Sequence, residues 1–267
     1  MPSVSNVAIG SNIAAAAATK ARHGMNESIA RLSTGIRAMY GADAAGHSVG
    51  TVHSAEAKSY AASTRNIEDG ISYAQSGESV LLEVANLAQR IRGLSIADDN
   101  VELLDANQIA ALDAEATLLG DTIDNILNNT KFNGKEVVDS AAAASVRVNF
   151  TGDASTVTGT LVGPDTGIAA LAGLTDASGA ATNADTALAS IATALGNIAA
   201  DLTALKAFQG AASATSANLA AAGARIMDTD YATETASLTK NSILNQAALS
   251  MAAQANNAQS AILSVLQ

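Results

Sequence analysis

Long stretches at both ends of the chain place apolar residues at helical spacing, and the β-forming, glycine-rich segments lie between them. Near the carboxyl end the apolar positions follow one another in alternating steps of four and three residues: Leu244, Ala248, Met251, Ala255, Ala258, Ile262 and Val265. This spacing is that of a heptad seam. An apolar stripe at a chain end needs a partner surface, and we expect that partner to be a second copy of the chain.

The helical pattern is interrupted at few points. In the second segment the register of the bulky apolar positions shifts near Gly77. Asp99 followed by Glu102 predicts a capping box that begins the third helix. No proline lies inside these segments, which favours long helices. The predicted helices cover about residues 4–36, 55–97, 99–128 and 184–266.

The middle of the chain carries the signals of β structure. Asn133-Gly134 between two short runs is typical of a hairpin turn, and residues 146–150 and 156–162 alternate as strands do. Gly152-Asp153 is expected to turn the chain between those strands, and residues 163–183 have the composition of a loop. The sequence therefore predicts a small β-hairpin region at about residues 131–180.

Together these elements predict a mainly α fold, a long antiparallel helical bundle or coiled-coil rod with that β region in the middle of the chain. Alanine supplies much of the 48% hydrophobic content and aromatics are only 3%, which suits thin bundles better than a thick core. We expect the stripes at the two chain ends to pack between subunits, because alanine-rich faces bury too little surface to stand alone.

Composition also limits the function. The net charge of −11 opposes binding to nucleic acid or to anionic membranes, and the chain has no cysteine for thiol or disulfide chemistry. The run Val7–Ala18 has no basic residues before it, so it does not resemble a cleaved signal peptide. No stretch approaches the roughly 18 consecutive strongly apolar residues of a membrane span.

The polar residues predict no catalytic, metal or cofactor site. His47 and His53 are six positions apart and would lie on different faces of a helix. The acidic residues between Asp98 and Asp105 lack the spacing and the glycine of a calcium-binding loop. No phosphate-binding or nucleophile motif is present in the sequence. We therefore expect a protein that is not an enzyme.

Six short runs carry a resemblance to a known family; they are residues 31–37 (RLSTGIR), 69–75 (DGISYAQ), 130–134 (TKFNG), 230–234 (DYATE), 243–247 (ILNQA) and 262–266 (ILSVL). In this order they resemble bacterial flagellin, the subunit of the flagellar filament. The resemblance covers both terminal thirds and leaves room for only a few strands between them. It implies the family's core without large outer variable domains.

The resemblance implies a structural subunit that polymerises into the filament for swimming motility. Residues 1–40 and 228–267 would pair as the innermost coiled coil, and residues 41–227 would form the surrounding helical rod domain. The expected inner-core and inter-subunit packing residues are Met25, Ile29, Leu32, Leu244, Met251, Ile262 and Val265.

The resemblance also implies partners and a location. Besides other copies of itself, the chain would meet a flagellar secretion chaperone, the export apparatus, and hook-associated and cap proteins. It would be extracellular, exported without a cleaved signal peptide. Some flagellins are sensed by a Toll-like receptor, and the matching positions here are Gln89, Arg90, Leu94 and Glu115. Gly93 stands where the family usually has glutamate.

Two alternatives remain at this point. A hook–filament junction protein, which is one of the hook-associated proteins, shares terminal helices of this type, although the carboxyl-terminal match argues against it. A coiled-coil signalling module, such as the cytoplasmic part of a chemoreceptor, would have no β hairpin at Phe132-Asn133-Gly134.

Overall fold

A computed structural model describes residues 3–37, 43–100, 102–138, 144–149, 156–161 and 166–266. In chain order its elements are α1 Ser3–Thr34, α2 Ala44–Asp98, α3 Ala106–Asn129, β1 Lys131–Phe132, β2 Lys135–Glu136, β3 Ala144–Asn149, β4 Thr156–Leu161, α4 Thr166–Ala172, α5 Ala180–Met227 and α6 Tyr231–Leu266. The predicted mainly α fold with long helices and a small β region is confirmed.

The start of α3 differs from the prediction. Its cap is Asp105, whose carboxylate accepts hydrogen bonds from the backbone N–H groups of Asn107 and Gln108 at 2.8 and 2.9 Å. The Gln108 side chain accepts the Asp105 N–H at 3.0 Å and completes the capping box. The predicted box at Asp99 and Glu102 was wrong, because the residues that follow α2 form turns before the next helix begins.

The buried face of α2 is continuous where a register shift was predicted. Gly77 itself is buried and occupies a seam position, while the bulky neighbours Val80 and Leu87 are only partly buried beside it. The prediction was wrong because it followed bulky residues and passed over a buried glycine. Apart from Leu94, the buried positions from Ser63 onward alternate in steps of four and three: Ser63, Ile67, Gly70, Ala74, Gly77, Leu81, Val84, Ala88, Ile91, Ser95 and Asp98.

The last predicted helix is two helices, and part of the predicted loop before it is the short helix α4. The break falls between α5 and α6, where Asp230 caps α6. Its carboxylate accepts the backbone N–H of Ala232 at 2.9 Å and the Thr233 hydroxyl at 2.7 Å. A local side-chain bond of this kind competes with helix continuation, which propensity alone does not reveal.

The predicted hairpin at Asn133-Gly134 is confirmed. Both residues have positive φ, 50° and 78°, as a type I′ turn requires, and they join the antiparallel pair β1 and β2. The Tyr73 hydroxyl donates to the carbonyl of Glu136, which holds the hairpin against α2. β3 and β4 also pair antiparallel, from Ala144↔Leu161 to Asn149↔Thr156. The predicted turn at Gly152-Asp153 lies outside the described residues.

The chain forms two compact units. Unit 1 comprises Met1–Ala55 with Leu219–Gln267, and unit 2 comprises Glu56–Asn218. The boundaries expected from the family are near residues 40 and 228, whereas these units divide within α2 and α5.

Unit 2 holds the bulky core. There α2 and α5 run antiparallel, as the bonds Arg92–Asp185 at 2.6 Å and Gln209–Glu68 at 2.9 Å show. The β1–β2 hairpin, α3 and α4 complete the core of this unit. Its large, fully buried side chains include Ile67, Leu81, Val84, Ile91, Ile123, Leu127, Ile168, Leu171, Ile191, Ile198 and Leu205.

The sequence predicted no segment with the length and apolar character of a membrane span, and one helix differs from that prediction. Within the described part of the chain, α5 alone is long and apolar enough to cross a membrane, by length and composition only. Core helices of soluble proteins pass the same test. The inward face of α5, including Ala187, Ile191, Ala194 and Ile198, belongs to the buried core of unit 2.

Two helical glycines in unit 2 are expected to respond in opposite ways to alanine. A Cβ on buried Gly120 would lie 2.7 Å from the carbonyl oxygen of Leu171, so Gly120→Ala will destabilise unit 2 by about 1–3 kcal/mol. A Cβ on Gly93 would meet nothing within 4 Å, so Gly93→Ala will stabilise α2 by about 0.5–1 kcal/mol. Denaturant unfolding measures the change in unfolding free energy of each variant. Equal changes in the two variants would contradict the packing described for Gly120.

Candidate functional site

The two chain ends pair with each other through small and polar side chains. α1 and α6 run antiparallel, with Arg31 3.6 Å from Glu234 and Gly24 facing Asn241. The buried positions of this pair are Ala14, Ala18, Ala21, Ser28 and Ala248, and on α6 the half-buried positions include Asn241, Asn245, Ala252, Ala255 and Gln259. We call these positions the α1–α6 seam. Small residues let the helices approach closely but bury little apolar area.

The bulky apolar side chains of the same pair point away from the seam. Met251, Ile13 and Ile243 are exposed by 64%, 65% and 60%. Among the described residues, ten of the fourteen exposed large hydrophobic side chains belong to unit 1. Apart from Tyr231, those on α1 and α6 are Ile9, Ile13, Ile29, Ile243, Leu244, Leu249 and Met251, which we call the exposed apolar set. Exposed apolar side chains of this size are candidates for contact with another surface.

The predicted carboxyl-terminal stripe is displaced from the observed seam. Ala248 is buried in the seam and Ala255 is half-buried there, whereas Leu244, Met251 and Ala258 are exposed beside it. The stripe thus contributes its smaller residues to the intramolecular seam, and the packing of its larger residues between subunits stays a prediction.

The remaining predicted packing residues are placed as follows. On α1, Met25 and Leu32 are half-buried and Ile29 is 48% exposed. The side chains of Ile262 and Val265 lie outside the described residues. The polar members of the seam were missed by sequence reasoning, because Asn, Ser and Gln give no apolar signal.

Polar groups fix how the two helices meet. Asn245 has a buried side-chain oxygen with no partner among the described residues, and Asn241 lies against Gly24, where any side chain would collide with it. A polar residue at a seam position specifies register at a cost in stability. The α1–α6 seam therefore holds polar groups and buries little apolar area.

A backbone clamp closes the end of α1. Gly35, at φ 72°, ends the helix, and its carbonyl accepts the N–H of Thr229 at 2.9 Å. The N–H of Arg37 donates to the carbonyl of Met227 at 2.7 Å, and its guanidinium binds Asp43 at 2.8 Å. The backbone hydrogen bonds of Gly35 and Arg37 join α1 to the break between α5 and α6. The hydrogen bond from the Gly46 N–H, and after it the bond from Arg37, lower the pKa of Asp43.

The four positions matching the family's receptor patch do not all lie on the surface. Arg90 binds the Glu115 carboxylate through Nε at 2.8 Å and Nη2 at 2.6 Å, and Gln89 is exposed beside them. Leu94 is 3% exposed and packs with Ala116, so it offers no surface to a partner. The pair of Arg90 and Glu115 joins α2 to α3 in unit 2.

Metal-ligating side chains do not converge anywhere in the part of the chain that the structure describes: no group of three or more His, Asp or Glu there could hold a metal ion.

These features define a helical structural subunit whose two ends form a thin pair with bulky apolar side chains on its outside. Residues 6–143 match the family model of the bacterial flagellin N-terminal helical region, and residues 179–266 match that of the bacterial flagellin C-terminal helical region. The chain therefore belongs to the bacterial flagellin family.

Two individual relatives agree with this assignment by sequence. The flagellin of Bacillus subtilis is 30% identical over 277 residues, spanning 89% of this chain and 91% of its own length. The flagellar filament 30.7 kDa core protein of Treponema maltophilum is 32% identical over 89% of this chain and 90% of its own. The crystal structure of Bacillus cereus flagellin aligns with 60% of this chain and 94% of its own at 26% identity, with a TM-score of 0.48.

The predicted family and function are thus confirmed. The chain is a structural subunit of the flagellar filament, which is an extracellular organelle of motility. None of these matches favours a hook–filament junction protein or a signalling module.

Proposed function

We propose that the chain polymerises through the exposed apolar set, while the α1–α6 seam only holds the two ends of each subunit together. The observation that carries this proposal is the distribution of side-chain size, with alanine inside the pair and isoleucine, leucine and methionine outside it. Contacts of this kind between different surfaces of successive copies repeat without closing and build a helical polymer.

The energetics support the same division. Burying one Leu, Ile or Met side chain contributes about 1.5–3 kcal/mol, and an alanine contributes much less. Most of the apolar burial available to α1 and α6 therefore lies in contacts between copies. The seam within one copy supplies register and proximity, and neighbours supply the apolar area.

Charge is divided between the units in a way that favours these contacts. Unit 1 carries six Lys or Arg and five Asp or Glu, which gives a net charge of +1. Unit 2 carries eight Lys or Arg and twenty Asp or Glu, which gives a net charge of −12. Copies that meet through unit 1 therefore escape strong repulsion. The acidic unit 2 keeps the monomer soluble and resists random aggregation.

The proposal extends to the partners that the family implies. The subunit is not an enzyme; it is exported unfolded without a cleaved signal peptide, and a secretion chaperone, hook-associated proteins and the cap protein cover the exposed apolar set before and during assembly. The exposure of Leu244 and Met251 on α6 supports this role.

A polar surface on unit 2 is the candidate for an immune receptor. Gln89, Arg90 and Glu115 are accessible there and two of them are ion-paired. Gly93 leaves open space beside them, and buried Leu94 adds nothing. We propose that any recognition uses the three polar residues alone.

A single substitution tests the polymerisation surface. Ile243→Ser removes a 60% exposed side chain from α6 and should raise the lowest concentration that supports filaments about tenfold or more, since ~1.4 kcal/mol is a factor of ten. Sedimentation of assembled from free subunits measures it. Ala253→Ser, also exposed on α6, is the matched control and should change little. An unchanged threshold for Ile243→Ser would overturn the proposal.

A further inference from the structure

One carboxyl group in unit 2 is buried without a hydrogen-bond partner for one of its oxygens. Asp98 is the last residue of α2 and lies on the buried face of that helix, at 5% exposure. Its Oδ1 atom is inaccessible to solvent and has no partner among the described residues. An ionised carboxylate in such a place is unfavourable unless it is paired.

Three segments converge at this residue. The N–H of Ala181, at the start of α5, donates to the Ser95 hydroxyl at 3.0 Å. The N–H of Ala177 donates to Asp113 of α3 at 2.8 Å. Leu94 packs with Ala177 in a small apolar cluster. We call the end of α2, Asp113 and residues 176–181 the Asp98 junction.

The charges facing Asp98 are all negative. They come from Asp99 at the end of α2, from Asp113 on α3 and from Asp176 before α5. The sequence has no Lys or Arg between Arg92 and Lys131, and Arg92 is bound to Asp185. The carboxyl end of a helix is also the negative end of its dipole. Burial first, and then these carboxylates, raise the pKa of Asp98.

We propose that the Asp98 junction is a proton-dependent contact, closed when Asp98 is protonated and loosened when Asp98 ionises. A protonated carboxyl group is neutral, and its O–H can donate a hydrogen bond to a neighbouring carboxylate. An ionised Asp98 would add a fourth negative charge to a buried site. The end of α2 then separates more readily from α3 and from the start of α5.

The sign of the pH dependence follows from the raised pKa. The folded junction holds its proton at a pH where the unfolded chain has already lost it. Stability from this group is therefore complete below the unfolded pKa and is lost as the pH rises through the folded pKa. A carboxylate with a lowered pKa, such as Asp43, acts in the opposite direction.

Hydrogen exchange on the full-length monomer tests the proposal between about pH 4 and pH 8, with each rate corrected for the intrinsic effect of pH. In the wild type, the amides of Ala177 and Ala181 should lose protection as the pH rises. In Asp98→Asn, which is neutral at every pH, they should exchange about tenfold more slowly than in the wild type at neutral pH and should show little pH dependence. Asp99→Asn is the matched control, because it removes one neighbouring charge but leaves Asp98 able to titrate, so protection should still fall as the pH rises.

Three results would overturn the proposal. The first is amide protection in the wild type that does not change with pH. The second is protection in Asp98→Asn that falls as the pH rises, as in the wild type. The third is an equal effect of Asp98→Asn and Asp99→Asn on protection. Protection that calcium chloride restores at neutral pH in the wild type but not in Asp98→Asn would identify a cation site in place of a proton site. If Asp98→Asn fails to fold, the wild-type series together with Asp98→Ser decides the matter.

Discussion

Replacing Leu244 and Met251 together with serine will abolish filament assembly and leave the monomer folded. The two side chains are 48% and 64% exposed, they are seven residues apart on α6, and neither lies in the seam with α1. Removing them deletes about 3–6 kcal/mol of potential burial between copies at no cost to the seam. Electron microscopy and sedimentation should show no filaments, while circular dichroism and thermal unfolding of the monomer stay unchanged.

The control for this variant is the pair Ala247→Ser and Ala253→Ser, two exposed alanines on the same helix. It introduces the same hydroxyl groups without removing bulk and should still assemble. Filaments formed by the Leu244 and Met251 double variant would show that the contacts between subunits lie elsewhere. Loss of the monomer's helix content would show that these side chains are needed within one copy.

Replacing Ala18 with leucine will separate α1 from α6 in the monomer. Ala18 is 3% exposed, and the antiparallel register defined by Arg31–Glu234 and Gly24–Asn241 places it near Ala248. Three extra carbons have no room in a seam of alanines, so the unfolding free energy of the pair should fall by about 1–3 kcal/mol. Hydrogen exchange should show lost protection along both helices.

The matched control is Ala17→Leu, which adds the same carbons at the exposed neighbouring position. It should leave protection in α1 and α6 nearly unchanged. A harmless Ala18→Leu would mean that the helices do not meet as closely as the structure shows, and a bulky residue could then occupy the seam.

Much of the fold could be predicted from patterns with a local cause. α1 ends two residues before its predicted end, and the Asn133-Gly134 turn is where its positive φ angles require it. The family assignment depended on short runs in the right order, and the comparisons confirm it.

The face that each terminal helix turns inward could not be predicted. A heptad pattern finds the stripe but cannot say which edge of it meets the partner helix. The predicted stripe held Leu244, Ala248, Met251 and Ala255 together, and the structure turns only the two alanines inward. In an ordinary bundle the larger residues go inside. On our proposal the larger residues of α1 and α6 meet other copies, so a rule about the core of one chain selects the wrong positions.

Other predictions failed at single positions. The turns after α2 delay the next helix to Ala106, and Gly77 fills a buried position that carries no apolar signal. Leu94 matched a family surface motif by sequence, but its side chain packs against α3. Burial depends on which helices meet, and that information is not local to the motif.

Because the bulky side chains of α1 and α6 lie outside the pair, the stability of these terminal helices depends on neighbouring copies. A copy in the interior of the polymer has neighbours on every side, whereas a copy at the growing tip has fewer. In the copy at the tip, α1 and α6 therefore open more readily, and their amide hydrogens exchange faster with solvent. Growth at the tip and durability along the shaft would then both follow from the same handful of isoleucines, leucines and methionines.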